Sequence, residues 1–119
     1  MNYLIIWIMF AHWAGDFVLQ SGWMATNKSK NLKALFLHAA TYTTTIIALI
    51  SVIFSLEIKS ILLFGLLNGV MHFGIDGITS RITSHLWQKK SVHYFFVMIG
   101  FDQFLHFTAL CLTMHFFLM

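Results

Sequence analysis

Residues 61–78 read Ile-Leu-Leu-Phe-Gly-Leu-Leu-Asn-Gly-Val-Met-His-Phe-Gly-Ile-Asp-Gly-Ile. The run contains no lysine, arginine or proline, and it is as long as the shortest stretch that reads as a membrane span, about 18 residues. Near its end it carries a histidine and an aspartate, His72 and Asp76, four positions apart. On a helix that interval puts both side chains on one face, one turn apart. Asn68 and Ser80 extend the same stripe in the two directions.

The interval recurs. The first apolar stretch carries His12 and Asp16, with Gln20 a further turn on, and the last carries Asp102 and His106 in reversed order. The second carries His38 and Tyr42, a phenol in place of the carboxylate. The chain has four acidic residues and seven histidines in 119 positions. Three of the acids, Asp16, Asp76 and Asp102, lie inside apolar stretches, and each has a histidine four residues away. Random placement gives one aspartate such a neighbour with probability roughly 0.12, and all three with roughly 0.002.

Composition agrees with a membrane protein. The chain is 59% hydrophobic and 9% charged, with no proline, where a soluble domain carries about 25% charged residues. The expected fold is all-α: four transmembrane helices in an antiparallel bundle, spans about 2–20, 34–54, 60–78 and 93–118, as one domain over residues 1–119. No cleavable signal peptide is expected, because Met1-Asn2-Tyr3 has no basic start and the first stretch holds His12, Asp16 and Gln20. Cys111 is the single cysteine, so neither a disulfide framework nor a cysteine-rich zinc site is expected. The formal charge of +3 does not point to nucleic acid. The bilayer is the expected partner, and a chain this short is expected to form homo-oligomers.

Between the spans lie a polar stretch from Ser21 to Lys33, a short loop at Leu56–Lys59, and a third loop from Thr79 to Ser91. The short loop makes a helical hairpin of the second and third spans. Nothing from Ser80 to Ser84 breaks a helix, so the third span can run on. The threonines at 41 and 43–45 are expected to bond back to their own helix. Gly65 and Gly69 match a small-xxx-small contact motif. Lys28, Lys30, Lys33, Arg81, Lys89 and Lys90 all fall in loops one and three. The positive-inside rule places those loops in the cytoplasm and both termini outside. Trp23 and Trp87 then anchor the same membrane face.

An ionisable residue at bilayer depth costs roughly 3 kcal/mol or more and usually faces the bundle interior. The aspartates should therefore converge. Counting about 1.5 Å per residue from the lysine-rich ends, His12 lies about 13 Å in, His38 and His72 about 9 Å, and Asp102 about 15 Å. One layer in the cytoplasmic half can hold them all. Either protonated histidines pair with the aspartates, or a divalent transition metal, zinc first among zinc, iron, nickel and manganese, takes the ligands. The expected ligand set is His12, Asp16, His38, His72, Asp76, Asp102 and His106. That is too many for one tetrahedral ion, so either two ions bind or some aspartates orient imidazoles from outside. Gln20, Tyr42, Asn68 and Gln103 are then outer partners or substrate contacts. His85, His93 and His115 have no partner at this spacing and read as interface or packing histidines.

The set His12-x3-Asp16-x3-Gln20, His38, His72-x3-Asp76 and Asp102-Gln103-x2-His106 resembles a domain-of-unknown-function family of small four-span bacterial and phage membrane proteins. Its N-terminal signature is His-x3-Asp-Phe-x-Leu-Gln, here His12 to Gln20. The resemblance covers nearly the whole chain and implies a four-helix membrane fold and no established activity. A looser likeness, in residue type alone, is to membrane-bound metal-dependent hydrolases.

Three functions are expected to compete. The first is a metal-dependent hydrolase of a phosphoester or lipid-linked substrate, with Asp76 or Asp102 as general base. Arg81 would hold a phosphate, unless it is only an orienting charge. The second is a metal-ion or proton transporter or channel. The third is a metal-stabilised membrane scaffold or regulator.

Overall fold

The structure, a computed structural model, describes residues 3–119. Helix α1 (Leu4–Trp13) runs on into one π-helical turn (Ala14–Val18). It is followed by a short α2 (Gly22–Asn27) and three long helices: α3 (Leu32–Ile53), α4 (Ile58–Gln88) and α5 (Val92–Phe117). There is no strand among the described residues.

The three long helices match the second, third and fourth expected spans, and each is long and apolar enough to cross a membrane. The first expected span, about 2–20, is helical over Leu4–Val18, with Met1 and Asn2 outside the described residues. At about 1.5 Å per residue it reaches roughly 22 Å, short of the 30 Å or so of a hydrocarbon core.

The helix of the third expected span runs on past residue 78, as the lack of a breaker from Ser80 to Ser84 allows: α4 continues to Gln88, which leaves only Lys89–Ser91 before α5. Several of the polar residues of α4 there bond back to their own helix. Thr83 Oγ1 donates to Ser80 O at 3.1 Å and Arg81 Nη1 to Gly77 O at 2.7 Å, while Thr79 Oγ1 lies 2.9 Å from Ile75 O. Lys90 stops the helix with a left-handed φ of 59°, and Lys90 and Ser91 return their N–H groups to Trp87 O and Leu86 O. That pair of bonds is a Schellman ending. The polar stretch Ser21–Lys33 is also more ordered than a loop. Ser21 caps α2 by accepting from Met24 N, and Asn31 caps α3 by accepting from Lys33 N at 2.8 Å.

Helix α4 lies between α3 and α5, while α1 and the π turn pack on α3 and α1 also touches α5. Two layers result. One end of the bundle is an apolar core with Leu4 and Ile8 of α1, Ile46 and Ile50 of α3, Ile61 and Phe64 of α4, and Leu110 and Met114 of α5. The other end takes the late residues of α1 and α4 and the early residues of α3 and α5. Antiparallel neighbours thereby bring positions near 12, 38, 72 and 106 to one level. The threonine hydroxyls fold back on α3, Thr41 to Leu37 O, Thr43 to Ala39 O and Thr45 to Thr41 O.

The two glycines of the Gly65-x3-Gly69 motif set the α3–α4 spacing. A methyl group on Gly65 would overlap Ile47, and one on Gly69 would overlap Thr43. Thr43 cannot turn away without breaking its bond to Ala39 O. Gly74 faces open space. Gly69→Ala should therefore destabilise the bundle by about 1–3 kcal/mol, while Gly74→Ala should be neutral or stabilising by up to about 1 kcal/mol. Thermal unfolding in detergent, followed by circular dichroism, compares the two.

Candidate metal centre

The π turn positions the first acid. The Leu19 N–H reaches back five residues to Ala14 O at 2.9 Å, an arrangement that is rare and often found at functional sites. Gly15 lets the turn press on α3: a methyl there would lie 3.2 Å from both Tyr42 Cα and Thr45 Cβ. Asp16 is thus driven into the bundle beside His38.

Four ligand-type atoms meet there, from Asp16, His38, His72 and Asp76, all buried and all within 4.8 Å of one another. His38 Nε2 lies 3.0 Å from Asp16 Oδ1, 2.9 Å from Asp76 Oδ2 and 2.9 Å from His72 Nε2. His72 Nε2 lies 3.4 Å from Asp16 Oδ1 and 3.5 Å from Asp76 Oδ2. These are five of the six edges of a tetrahedron. Ligands about 2.0–2.1 Å from a tetrahedral ion stand about 3.3 Å apart, and the five distances bracket that value.

The proton positions sharpen the picture. His106 Nε2 lies 3.2 Å from Asp76 Oδ1 and 3.3 Å from Asp102 Oδ1. Carboxylates only accept, so Nε2 carries the proton. In the neutral ring, Nδ1 then accepts from His72 Nδ1 at 3.3 Å. The His72 proton is therefore on Nδ1, and its Nε2 turns a bare lone pair toward two carboxylate oxygens and His38 Nε2. Within the quartet at most one proton, on His38 Nε2, is left for these acceptors, and Lys28 Nζ donates to Asp76 Oδ2 from outside it at 3.0 Å. A cation at their centre resolves the conflict. The other resolution is a second proton on His106, which reverses the chain and puts a proton on His72 Nε2.

His12 stands outside the quartet with both nitrogens engaged. Its Nε2 donates to Gln103 Oε1 at 2.9 Å, so its Nδ1 accepts from the Tyr42 hydroxyl at 3.0 Å. Gln103 in turn donates from Nε2 to Asp16 Oδ2 at 3.3 Å and Asp102 Oδ2 at 3.0 Å. Tyr42 is buried and stacks on His72, ring centres 3.9 Å apart and planes 7° from parallel. These contacts aim the ligand atoms.

A second group, Asp16, Asp102 and His106, also meets ligand spacing. It cannot hold an ion through His106 Nε2 at the same time as the quartet holds one through His72 Nε2. Both Nδ1 atoms would then carry protons and confront each other. At most one of the two groups can therefore be filled through these nitrogens at a time.

Of the remaining expected residues, Gln20 lines a cavity over the centre, and its Oε1 is buried with no hydrogen-bond partner. Asn68 lies a turn deeper and donates to Phe64 O and Thr113 Oγ1. Arg81 is exposed and turned back on its own helix. His85, His93 and His115 are exposed. Two contacts were not among the expected ones. Lys28 Nζ donates to Asp76 Oδ2 at 3.0 Å, and Thr79 Oγ1 donates to Asp102 Oδ1 at 2.5 Å. Lys28 looked like one of several orienting charges. Thr79 lies seven residues past His72, on its face of the helix, and the period of 3.6 could have found it.

A cavity of about 210 Å³ opens onto the carboxylates of Asp16, Asp76 and Asp102, with Lys28, Ser80 and Gln103 in its wall. A family model described as "Protein of unknown function (DUF3307)" matches residues 4–119. Comparison with curated proteins and with solved structures finds no match.

Replacing Gln103 by Leu should cost about 1–3 kcal/mol, because it leaves the buried His12 Nε2–H without an acceptor. Phe104→Leu, on the exposed face, should cost less than about 0.5 kcal/mol. Paired unfolding curves measure both.

Proposed function

The chain belongs to the DUF3307 family, and from its own geometry we propose an integral membrane protein with one buried metal site. The site is the quartet of Asp16, His38, His72 and Asp76, open to the cytoplasmic side. The observation that carries the reading is the convergence of His38 Nε2, His72 Nε2, Asp16 Oδ1 and Asp76 Oδ2 at 2.9–3.5 Å along five of their six edges, a donor set that a cation would satisfy. Two nitrogens and two oxygens in tetrahedral array suit zinc. In this reading Leu4–Val18 completes a four-span bundle, its short length made up by tilt of its neighbours or local thinning. Both termini lie outside the cytoplasm.

The chemistry we favour is hydrolysis of a phosphoester or lipid-linked substrate. A bound divalent ion would supply Lewis acidity and an activated water. Asp102 is the better placed of the two expected bases. It is 14% exposed, lies on the cavity wall, and is held by Thr79 and Gln103. Asp76 spends its oxygens on His38, His106 and Lys28. Transport is the weaker proposal, because the apolar layer of Ile8, Ile46, Phe64 and Leu110 fills the far half of the bundle. Lys28 favours one rival: its ammonium on Asp76 fits a metal-free network in which His106 holds the second proton. A scaffold or homo-oligomer role adds no contact to this site.

Purified protein in detergent should carry one transition-metal ion per chain by elemental analysis. His72→Ala should abolish binding, and Asp102→Asn should keep one ion at about 10–100-fold weaker affinity. Binding should weaken as pH falls, because loading the site displaces a proton that otherwise lies among these groups. Folded wild-type protein that takes up no ion would favour the proton network.

A further inference from the structure

We propose that the protein binds an amphiphile with a phosphate-type headgroup, held by Lys28 and Ser80 in a groove between α2 and the α4–α5 pair. The proposal rests on the metal-centre reading for what lies at the groove's inner end. Two cavities adjoin along this path. The inner one, about 210 Å³, reaches the three aspartates, and the outer one is about 600 Å³. They share Ala25, Lys28, Ser80 and Thr83 as walls. The outer volume lies in the range of small-molecule sites, roughly 300–1,000 Å³.

The two differ in charge. The inner cavity is lined by carboxylates, while the outer has none and carries Lys28, Lys30 and the hydroxyls of Ser29, Ser80 and Ser84. Its opposite wall is aromatic: Trp87 and Phe95, ring centres 5.0 Å apart, and Phe96. Trp87 and Phe96 also face outward, 59% and 60% exposed. A site with cations and hydroxyls on one side and aromatic rings on the other fits a headgroup with an apolar tail.

Ser80 is the second, independent sign. It is 8% exposed, lines both cavities, and its Oγ is buried with no hydrogen-bond partner. Such groups in native proteins are uncommon and call for an explanation. Lys28 is placed to serve the same anion. One of its three N–H donors goes to Asp76, and the others remain for a headgroup at the boundary of the two cavities. Without that ammonium, three carboxylates would repel an approaching phosphate. Arg81 does not take this part, because it lines neither cavity.

The test uses the full chain in detergent, titrated with phosphatidic acid and with diacylglycerol of the same acyl chains, bound lipid being read by native mass spectrometry. Phosphatidic acid should bind about tenfold or more tightly than diacylglycerol. Ser80→Ala, which removes only an unpartnered oxygen, and Lys28→Gln should each weaken it about fivefold, with Lys59→Gln in the far loop unchanged. Inorganic phosphate, titrated alone, should bind more weakly than phosphatidic acid. Equal affinity would make free phosphate the ligand and overturn the lipid assignment. Equal binding of the two lipids, or Ser80→Ala and Lys28→Gln both behaving as wild type, would overturn the proposal. Metal content measured in the same samples separates the readings. An ion without headgroup preference sinks this proposal alone, and absence of the ion sinks the metal centre.

Discussion

Four acceptor-type atoms in an apolar bundle, with at most one proton of their own and one outside donor, the Lys28 ammonium on Asp76 Oδ2, are the constraint on which the structure depends. Asp16 Oδ1, Asp76 Oδ2 and the Nε2 atoms of His38 and His72 are drawn within 2.9–3.5 Å along five of their six edges. In water each would be solvated separately. In a low-dielectric interior an unpaired charge or lone pair is costly, and their mutual repulsion grows as the dielectric falls. A cation at their centre, or a further proton shared among them beside the Lys28 ammonium, would offset that cost. The ring of outer contacts fixes which way each atom points: Tyr42 and Gln103 on His12, Gln103 on Asp16, and Asp102 and Asp76 on His106.

The rest of the fold serves that convergence. An antiparallel arrangement lets helices running in opposite directions deliver residues 12, 38, 72 and 106 to one level. Glycines at 65 and 69 bring α4 against α3, so the His38 and His72 rings reach each other. The apolar layer beneath, from Leu4 to Met114, anchors the helices so that the polar layer above can keep strained proximity. A buried polar cluster seldom stabilises a bundle by itself, and here the hydrophobic half supplies the stability.

The convergence of Asp16, His38, His72 and Asp76 was legible because the i, i+4 interval fixes a helix face and the insertion cost forces the faces inward. The division of labour was not. His12 and His106 share the ligand spacing, yet their nitrogens are taken up by Gln103, Tyr42, Asp76 and Asp102, and only side-chain geometry reveals it. Lys28 was hidden because a loop lysine reads as an orienting charge. The capped α2 tucks that loop under the bundle and carries the ammonium to Asp76. The continuation of α4 to Gln88 was legible in the absence of a helix breaker from Ser80 to Ser84, and the bonds of Arg81 and Thr83 back to their own helix support it. The π turn at Ala14–Val18 leaves no mark beyond Gly15.

The most direct test is anomalous scattering from crystals of the zinc-loaded protein, collected on both sides of the zinc edge. The account predicts one strong peak within about 2.0–2.2 Å of Asp16, His38, His72 and Asp76. Zinc found only at exposed His85, His93 or His115, with no peak among those four, would contradict it.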